Sequence, residues 1–171
     1  MAALDIEPLY RTMLDDACMF HIMLVGACGT RVGKTYLACA LGRVAYQAQY
    51  KVRYERTSRL LQALELARAD GSYPQLLRTL ARVHLLIFDD WRRDPLFRSQ
   101  VRDLLEILDA RYGRNATMVV TQVPVAEWHI RIPDRTLSDA VLDRLIHNAY
   151  RLEPQGESMR KVHSLLLPNE D

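Results

Sequence analysis

A chain of 171 residues, 49% apolar and 26% charged, has the make-up of one globular domain with a sizeable core and excludes a disordered or fibrous chain. Its 23 basic and 21 acidic side chains leave a net charge of +2, so a nucleic-acid partner must be met by a local patch. Cys18, Cys28 and Cys39 are odd in number and lack CxxC spacing, which argues against a disulfide framework and a zinc site and for a reducing compartment.

The first 20 residues read as a short N-terminal segment. Their acidic opening, MAALDIEPLYRTMLDD, lacks the basic-then-apolar layout of a signal peptide. No stretch reaches the roughly 20 apolar residues of a membrane span, so no membrane partner and a cytoplasmic location are expected.

IMLVG reads as a buried strand, and from Lys34 onward Leu37, Ala38, Leu41, Val44, Ala45 and Ala48 recur at helical spacing. KVRYER is a second strand. It is followed by Thr57 or Ser58 as a helix N-cap and an apolar stripe at Leu60, Leu61, Leu64 and Ala67. ADGSYP breaks this helix and PQLLRTLARV starts another. HLLIFDD is a third strand, a helix runs from about Leu96 to Tyr112, and ATMVVTQV is a fourth strand. A helix over LSDAVLDRLIH leads to a fifth strand, AYRLE. Strands alternating with helices predict an α/β fold with a parallel sheet and right-handed crossovers. Nothing marks a second domain: residues 21–161 form the domain and 162–171 a tail.

The loop after the first strand, GACGTRVGKT, almost spells a phosphate-binding loop. Five residues before Gly33 stands Cys28 rather than glycine, while Gly26 and Gly29 fit only if two residues, Thr30 and Arg31, are an insertion. Such a loop converges backbone amides and a helix N-terminus on an anion. Lys34 would then reach the β- and γ-phosphates of ATP and Thr35 would ligate Mg²⁺. About 50 residues downstream, LLIFDD delivers Asp89 to the carboxyl edge of the sheet as a second Mg²⁺ ligand, and Asp90 to polarise a water. VVTQVP ends a strand with Thr121 and Gln122, either of which can orient water near a γ-phosphate. In LDRL, Arg144 is either a surface cation or a finger inserted into a neighbouring subunit's site. The arginine groups Arg53, Arg56, Arg59 and Arg92, Arg93, Arg98, Arg102 are places to look for a basic patch, although a solvated helix face accounts for either group alone.

From about Phe20 to Lys161 the chain resembles the ATPase domain of the IstB-like transposition helper proteins, relatives of the DnaC-type helicase loaders in the AAA+ class. The match is carried by KTYLACALG, YERTSRLLQAL, ARADGSY, LLIFDDW, TQVPVAEWH, TLSDAVLDRLIHNAYRL and GESMRK, in that order. The resemblance implies a P-loop NTPase of AAA+ type, a five-stranded parallel sheet flanked by helices in a three-layer sandwich. It also implies an ATP-dependent, DNA-binding homo-oligomer that recruits or regulates a transposase. By transfer, Lys34 and Thr35 with Gly26, Gly29 and Gly33 take the Walker A roles, and Asp89 and Asp90 the Walker B roles. Gln122 or Thr121 becomes the sensor, Arg144 the trans-acting finger, and Arg160 a second nucleotide-sensing arginine. The segment from Thr57 to Arg82 corresponds to a paired-helix insertion used near DNA, with Arg59, Arg68 and Arg78 as phosphate contacts.

Several positions depart from the family's pattern. The family usually has more chain before its first strand; Ala27 stands where proline is common, and Arg92 and Pro133 where glycine is usual. Two inserted residues add up to roughly 7 Å of chain. Catalytic geometry is sensitive at about 1 Å, so the expectation is retained nucleotide binding with slow or absent hydrolysis. Competing readings are a catalytically inactive P-loop interaction module and a small-molecule or nucleotide kinase.

Overall fold

The computed structural model describes residues 21–25, 33–91, 95–132, 134–146 and 149–153. Within them the strands are β1 (His21–Val25), β2 (Val52–Arg56), β3 (Leu85–Asp89), β4 (Ala116–Thr121) and β5 (Ala149–Leu152). The helices are α1 (Lys34–Gln47), α2 (Thr57–Asp70), α3 (Tyr73–Arg82), α4 (Arg98–Arg111), α5 (Trp128–Arg131) and α6 (Arg135–Ile146), with a short 3₁₀ turn at Val125–Glu127. That turn and α5 lie in a stretch for which the sequence had suggested no element.

The strands form one sheet in the order β2-β3-β4-β1-β5, and every neighbouring pair is parallel. The α/β expectation holds. All residues of β1, β3 and β4 are buried, as near-continuous apolar runs in the middle of a covered parallel sheet require; the edge strands β2 and β5 mix exposed and half-buried positions.

Strand order and handedness together set the layers. The step from β1 to β2 runs one way along the sheet, and the steps from β2 to β3, β3 to β4 and β4 to β5 run the other way. Right-handed crossovers therefore place α1 alone on one face and the remaining helices on the opposite face. The core divides accordingly. Ala38, Leu41 and Ala45 of α1 pack on Ile22, Leu24, Ile87 and Val120. Leu64, Leu80, Leu104 and Leu145, from four helices of the other layer, pack on Met23, Leu86, Phe88 and Val119. Gly42 lets α1 lie close to the sheet, since a Cβ there would stand 2.9 Å from the Ile87 side chain. Among the described residues no helix is long and apolar enough to cross a membrane.

Local chemistry fixes the joints. The turn between α2 and α3 uses Gly71 at φ 80°, a left-handed conformation that glycine adopts without Cβ strain. There the Asp70 carboxylate accepts from the Ser72 amide at 2.9 Å and from its hydroxyl at 2.6 Å. The expected N-cap of α2 is corrected. The helix begins at Thr57, with Arg56 in the cap position, and the Thr57 hydroxyl donates to the Asp89 carbonyl at 2.9 Å. Because Arg56 is the register partner of Asp89, strand β2 passes straight into α2, and the hydroxyl is used across the sheet instead of along the helix.

At the amino end of the sheet His21 is buried, and its Nδ1 has no hydrogen-bond partner among the described residues. Burial, followed by the nearby Arg111 cation, lowers its pKa to about 4. A base whose folded pKa lies below its unfolded value binds more protons when unfolded, so stability must rise with pH between about 4 and 6.5. Lowering the pH from 6.5 to 4.5 is expected to cost about 2 kcal/mol through this one group. Urea titrations of the wild type and His21→Gln across that window check it: the variant should lose that part of the slope.

Candidate nucleotide site

Gly33 precedes α1 at φ 79°, ψ 25°, and its carbonyl accepts from the Leu37 amide at 2.8 Å. The chain thus enters the helix through a left-handed residue, which a side chain at this position would strain. Lys34 opens α1 and is buried; Thr35 follows it on an exposed first turn. The amides of this turn have no partners within the helix and carry the positive end of its dipole.

Alternation along β3 turns Leu85, Ile87 and Asp89 toward α1 and Leu86 and Phe88 away from it. Asp89 is buried, and its Oδ2 accepts a hydrogen bond from the Thr35 hydroxyl at 3.0 Å, across 54 residues of sequence. The same oxygen accepts from the Tyr54 hydroxyl, and Oδ1 accepts from the Asp90 amide at 2.8 Å. Burial, then the bond to Asp89, pushes the Tyr54 pKa up to about 12, so the phenol is a donor at neutral pH. Asp90 adopts φ 53°, a left-handed conformation that aspartate tolerates better than most side chains, at a cost of order 1 kcal/mol.

Beyond it the Trp91 amide donates to the Val120 carbonyl at 2.9 Å, joining the carboxyl ends of β3 and β4. Trp91 packs on Phe88 and Trp128 with ring centroids 5.5 and 5.9 Å away, and the Trp128 indole donates to the Val123 carbonyl at 3.0 Å. Thr121 is buried within this joint: its hydroxyl donates to the Trp91 carbonyl at 2.9 Å and accepts from the Val123 amide at 3.0 Å. Gln122 is the exposed polar residue at that strand end.

Thr35 and Asp89 supply a hydroxyl and a carboxylate already in contact beside a helix N-terminus. That hard-oxygen pair fits Mg²⁺, and both are the residues that would hold it. The structure thus brings together Lys34, Thr35 and Asp89, places Asp90 next in the chain, and leaves Gln122 at the end of the neighbouring strand.

Other expected residues lie elsewhere. Arg144 pairs with Asp109 of α4 through Nε, and its Nη1 donates to the Ala140 carbonyl at 3.0 Å. Arg68 is half-exposed but engaged: it pairs with the buried Asp103 of α4, and its guanidinium lies 3.8 Å from the Tyr73 ring centroid. Arg59 on α2 and Arg78 on α3 are exposed. Gly26, Gly29, Thr30, Arg31 and Arg160 lie outside the described residues, as do Arg92, Arg93 and Pro133.

Residues 17–166 match the family described as IstB-like ATP binding protein. The chain belongs to that family. It is similar to insertion sequence proteins. It is 51% identical over 135 residues to the insertion sequence ATP-binding protein y4pL of Sinorhizobium fredii, covering 78% of this chain and 55% of that one. It is 31% identical over 140 residues to the IS21 ATP-binding protein of Pseudomonas aeruginosa, covering 82% and 52%. The chain spans about half the length of the curated relatives it matches.

Among solved structures, the IstB-like fold superposes on DnaI with a TM-score of 0.74 at 17% identity, covering 86% of this chain and 82% of that one. For the DnaC helicase loader the TM-score is 0.69 at 17% identity, covering 86% and 87%. These likenesses show the expected fold, a five-stranded parallel sheet flanked by helices. The matching stretch YERTSRLLQAL begins at Tyr54, but it assigned that residue no role. Its signal in the sequence was available, since an aromatic hydroxyl two residues before the end of an edge strand reaches toward the neighbouring strand's last residue.

Proposed function

We propose that this chain binds ATP with Mg²⁺ and works as an ATP-dependent helper in DNA transposition, binding DNA as an oligomer and recruiting or regulating a transposase. The observation that carries the reading is the contact between the Thr35 hydroxyl and the Asp89 carboxylate at the head of α1. In this reading Lys34 holds the β- and γ-phosphates, and Thr35 and Asp89 hold Mg²⁺, which when bound neutralises phosphate charge. Asp90 polarises the attacking water and Gln122 orients it. Thr121, whose hydroxyl already serves two backbone groups, maintains the joint on which Gln122 stands.

Arg144 is the proposed trans-acting finger. Its pair with Asp109 joins side chains 30% and 47% exposed, and an ion pair that open to solvent is worth only about 0–1 kcal/mol, little hindrance to exchange for a phosphate in a neighbouring subunit. On the paired helices α2 and α3, exposed Arg59 and Arg78 are the proposed DNA phosphate contacts, while Arg68 holds the two helices to α4. The lengthened loop before Lys34 favours binding over turnover.

Equilibrium titration of a fluorescent ATP analogue with Mg²⁺ tests the site. Lys34→Ala should weaken binding by at least about tenfold, since hydrogen bonds to charged groups contribute about 1.5–3 kcal/mol. Equal affinities would end the proposal. Turnover assayed with and without duplex DNA separates a DNA-stimulated helper from an inactive module, which would show none.

A further inference from the structure

Tyr54 stands on edge strand β2, two residues before Arg56, the register partner of Asp89. Val52, on the same side of β2, packs into the α1-side core with Ile87, so Tyr54 shares the face from which Asp89 projects. Its hydroxyl donates to Asp89 Oδ2, the oxygen that also receives the Thr35 hydroxyl. Two hydroxyls from separate elements, α1 and β2, therefore converge on one oxygen, while the Asp90 amide donates to Oδ1.

The terminal torsion of an aspartate is broad, so the orientation of the Asp89 carboxylate is set by what bonds to it. The amide at Oδ1 and the hydroxyl of Thr35 leave that torsion with one restraint on each side, and Thr35 is itself a metal ligand in the proposed site. Tyr54 adds a donor that owes nothing to the nucleotide loop. Tyr54 is 38% exposed at the sheet edge, and a phenylalanine there keeps the ring, so the hydroxyl is the group whose role can be isolated.

We propose that Tyr54 is a positioning residue for the metal-holding carboxylate: from β2 it keeps Asp89 Oδ2 directed at Thr35, and so sets how strongly Mg²⁺ tightens nucleotide binding. This rests on the reading of Thr35 and Asp89 as the metal side of a nucleotide site.

The test measures the dissociation constant of a fluorescent ADP analogue in EDTA and in Mg²⁺. The ratio of the two reports metal coupling and cancels any change common to both buffers, which is all that a purely structural role would produce. Tyr54→Phe removes only the hydroxyl, and the ratio should fall about tenfold, the usual scale for loss of a group supporting a metal ligand. In an Asp89→Asn background the same substitution should change the ratio no further. An unchanged or larger ratio in Tyr54→Phe overturns the proposal, as does a drop in the Asp89→Asn background equal to that in the wild type. Lys34→Ala separates the two layers: if it binds as well as the wild type in both buffers, the nucleotide reading falls and this inference with it. If Lys34→Ala is defective and the Tyr54→Phe ratio is unmoved, this inference alone is wrong.

Discussion

Arg111→Met is expected to lower the free energy of unfolding by about 4 kcal/mol, read as a fall in the urea midpoint at unchanged slope. Arg111 ends α4 with no exposure at all. Its Nη1 donates to the carbonyls of Leu80 and of Val83, the latter at 2.8 Å, its Nη2 to Ala116 and its Nε to the Thr117 hydroxyl at 3.1 Å. Leu80 and Val83 belong to the carboxyl end of α3, where carbonyls lack partners within the helix and the dipole is negative. A buried cation there caps one helix from another and ties both to β4. Burial opposes the charge, lowering the Arg111 pKa to about 10, and part of that desolvation is regained on substitution. Methionine fills similar space but leaves several buried carbonyls unpaired at about 1–3 kcal/mol each, and that loss dominates. Arg68→Ala makes the contrast, because its guanidinium is half-exposed and its ion pair is screened; a loss of about 1 kcal/mol is expected. Equal losses at the two sites would refute the argument from burial.

The sheet was legible because its central strands are apolar runs bounded by punctuation, and alternation with helices admits few topologies. Thr35 and Asp89 were legible for a different reason: a strand end and a helix start demand those residue types there if a metal is to be held. What stayed hidden depended on long-range partners. In DARYGRN, Arg111 reads as an ordinary cation closing a helix. Yet it continues the stripe of Leu104 and Leu108 at helical spacing, a clue that it points inward. Arg68 reads as a surface charge available to phosphate, because nothing local shows that Asp103, 35 residues on, comes to lie beneath it. Thr57 has the residue type of a cap, and only the pairing of β2 with β3 reveals that its hydroxyl faces the Asp89 carbonyl instead.

Asp89→Asn should leave the fold within about 1 kcal/mol of the wild type while removing at least about 100-fold of the metal-dependent gain in nucleotide affinity. The stability half follows from the donors around the carboxylate. With its oxygen turned to the Asp90 amide, asparagine keeps that 2.8 Å bond and presents its amino group to Thr35 and Tyr54. Both of those are hydroxyls, which rotate and accept as readily as they donate, so every buried polar atom keeps a partner. The binding half follows from the same reversal. In the wild type the Thr35 proton points at Asp89, leaving an oxygen lone pair for a cation; in the variant a lone pair is spent on the asparagine amino group and the proton turns outward toward that cation. The site thus loses a negative charge and also has its hydroxyl reversed in polarity. Thermal or urea unfolding checks the first half, and the ratio of nucleotide dissociation constants in EDTA and Mg²⁺ checks the second. A variant that melts with the wild type yet still binds nucleotide more tightly with Mg²⁺, by the wild-type factor, would show that Asp89 is not a metal ligand.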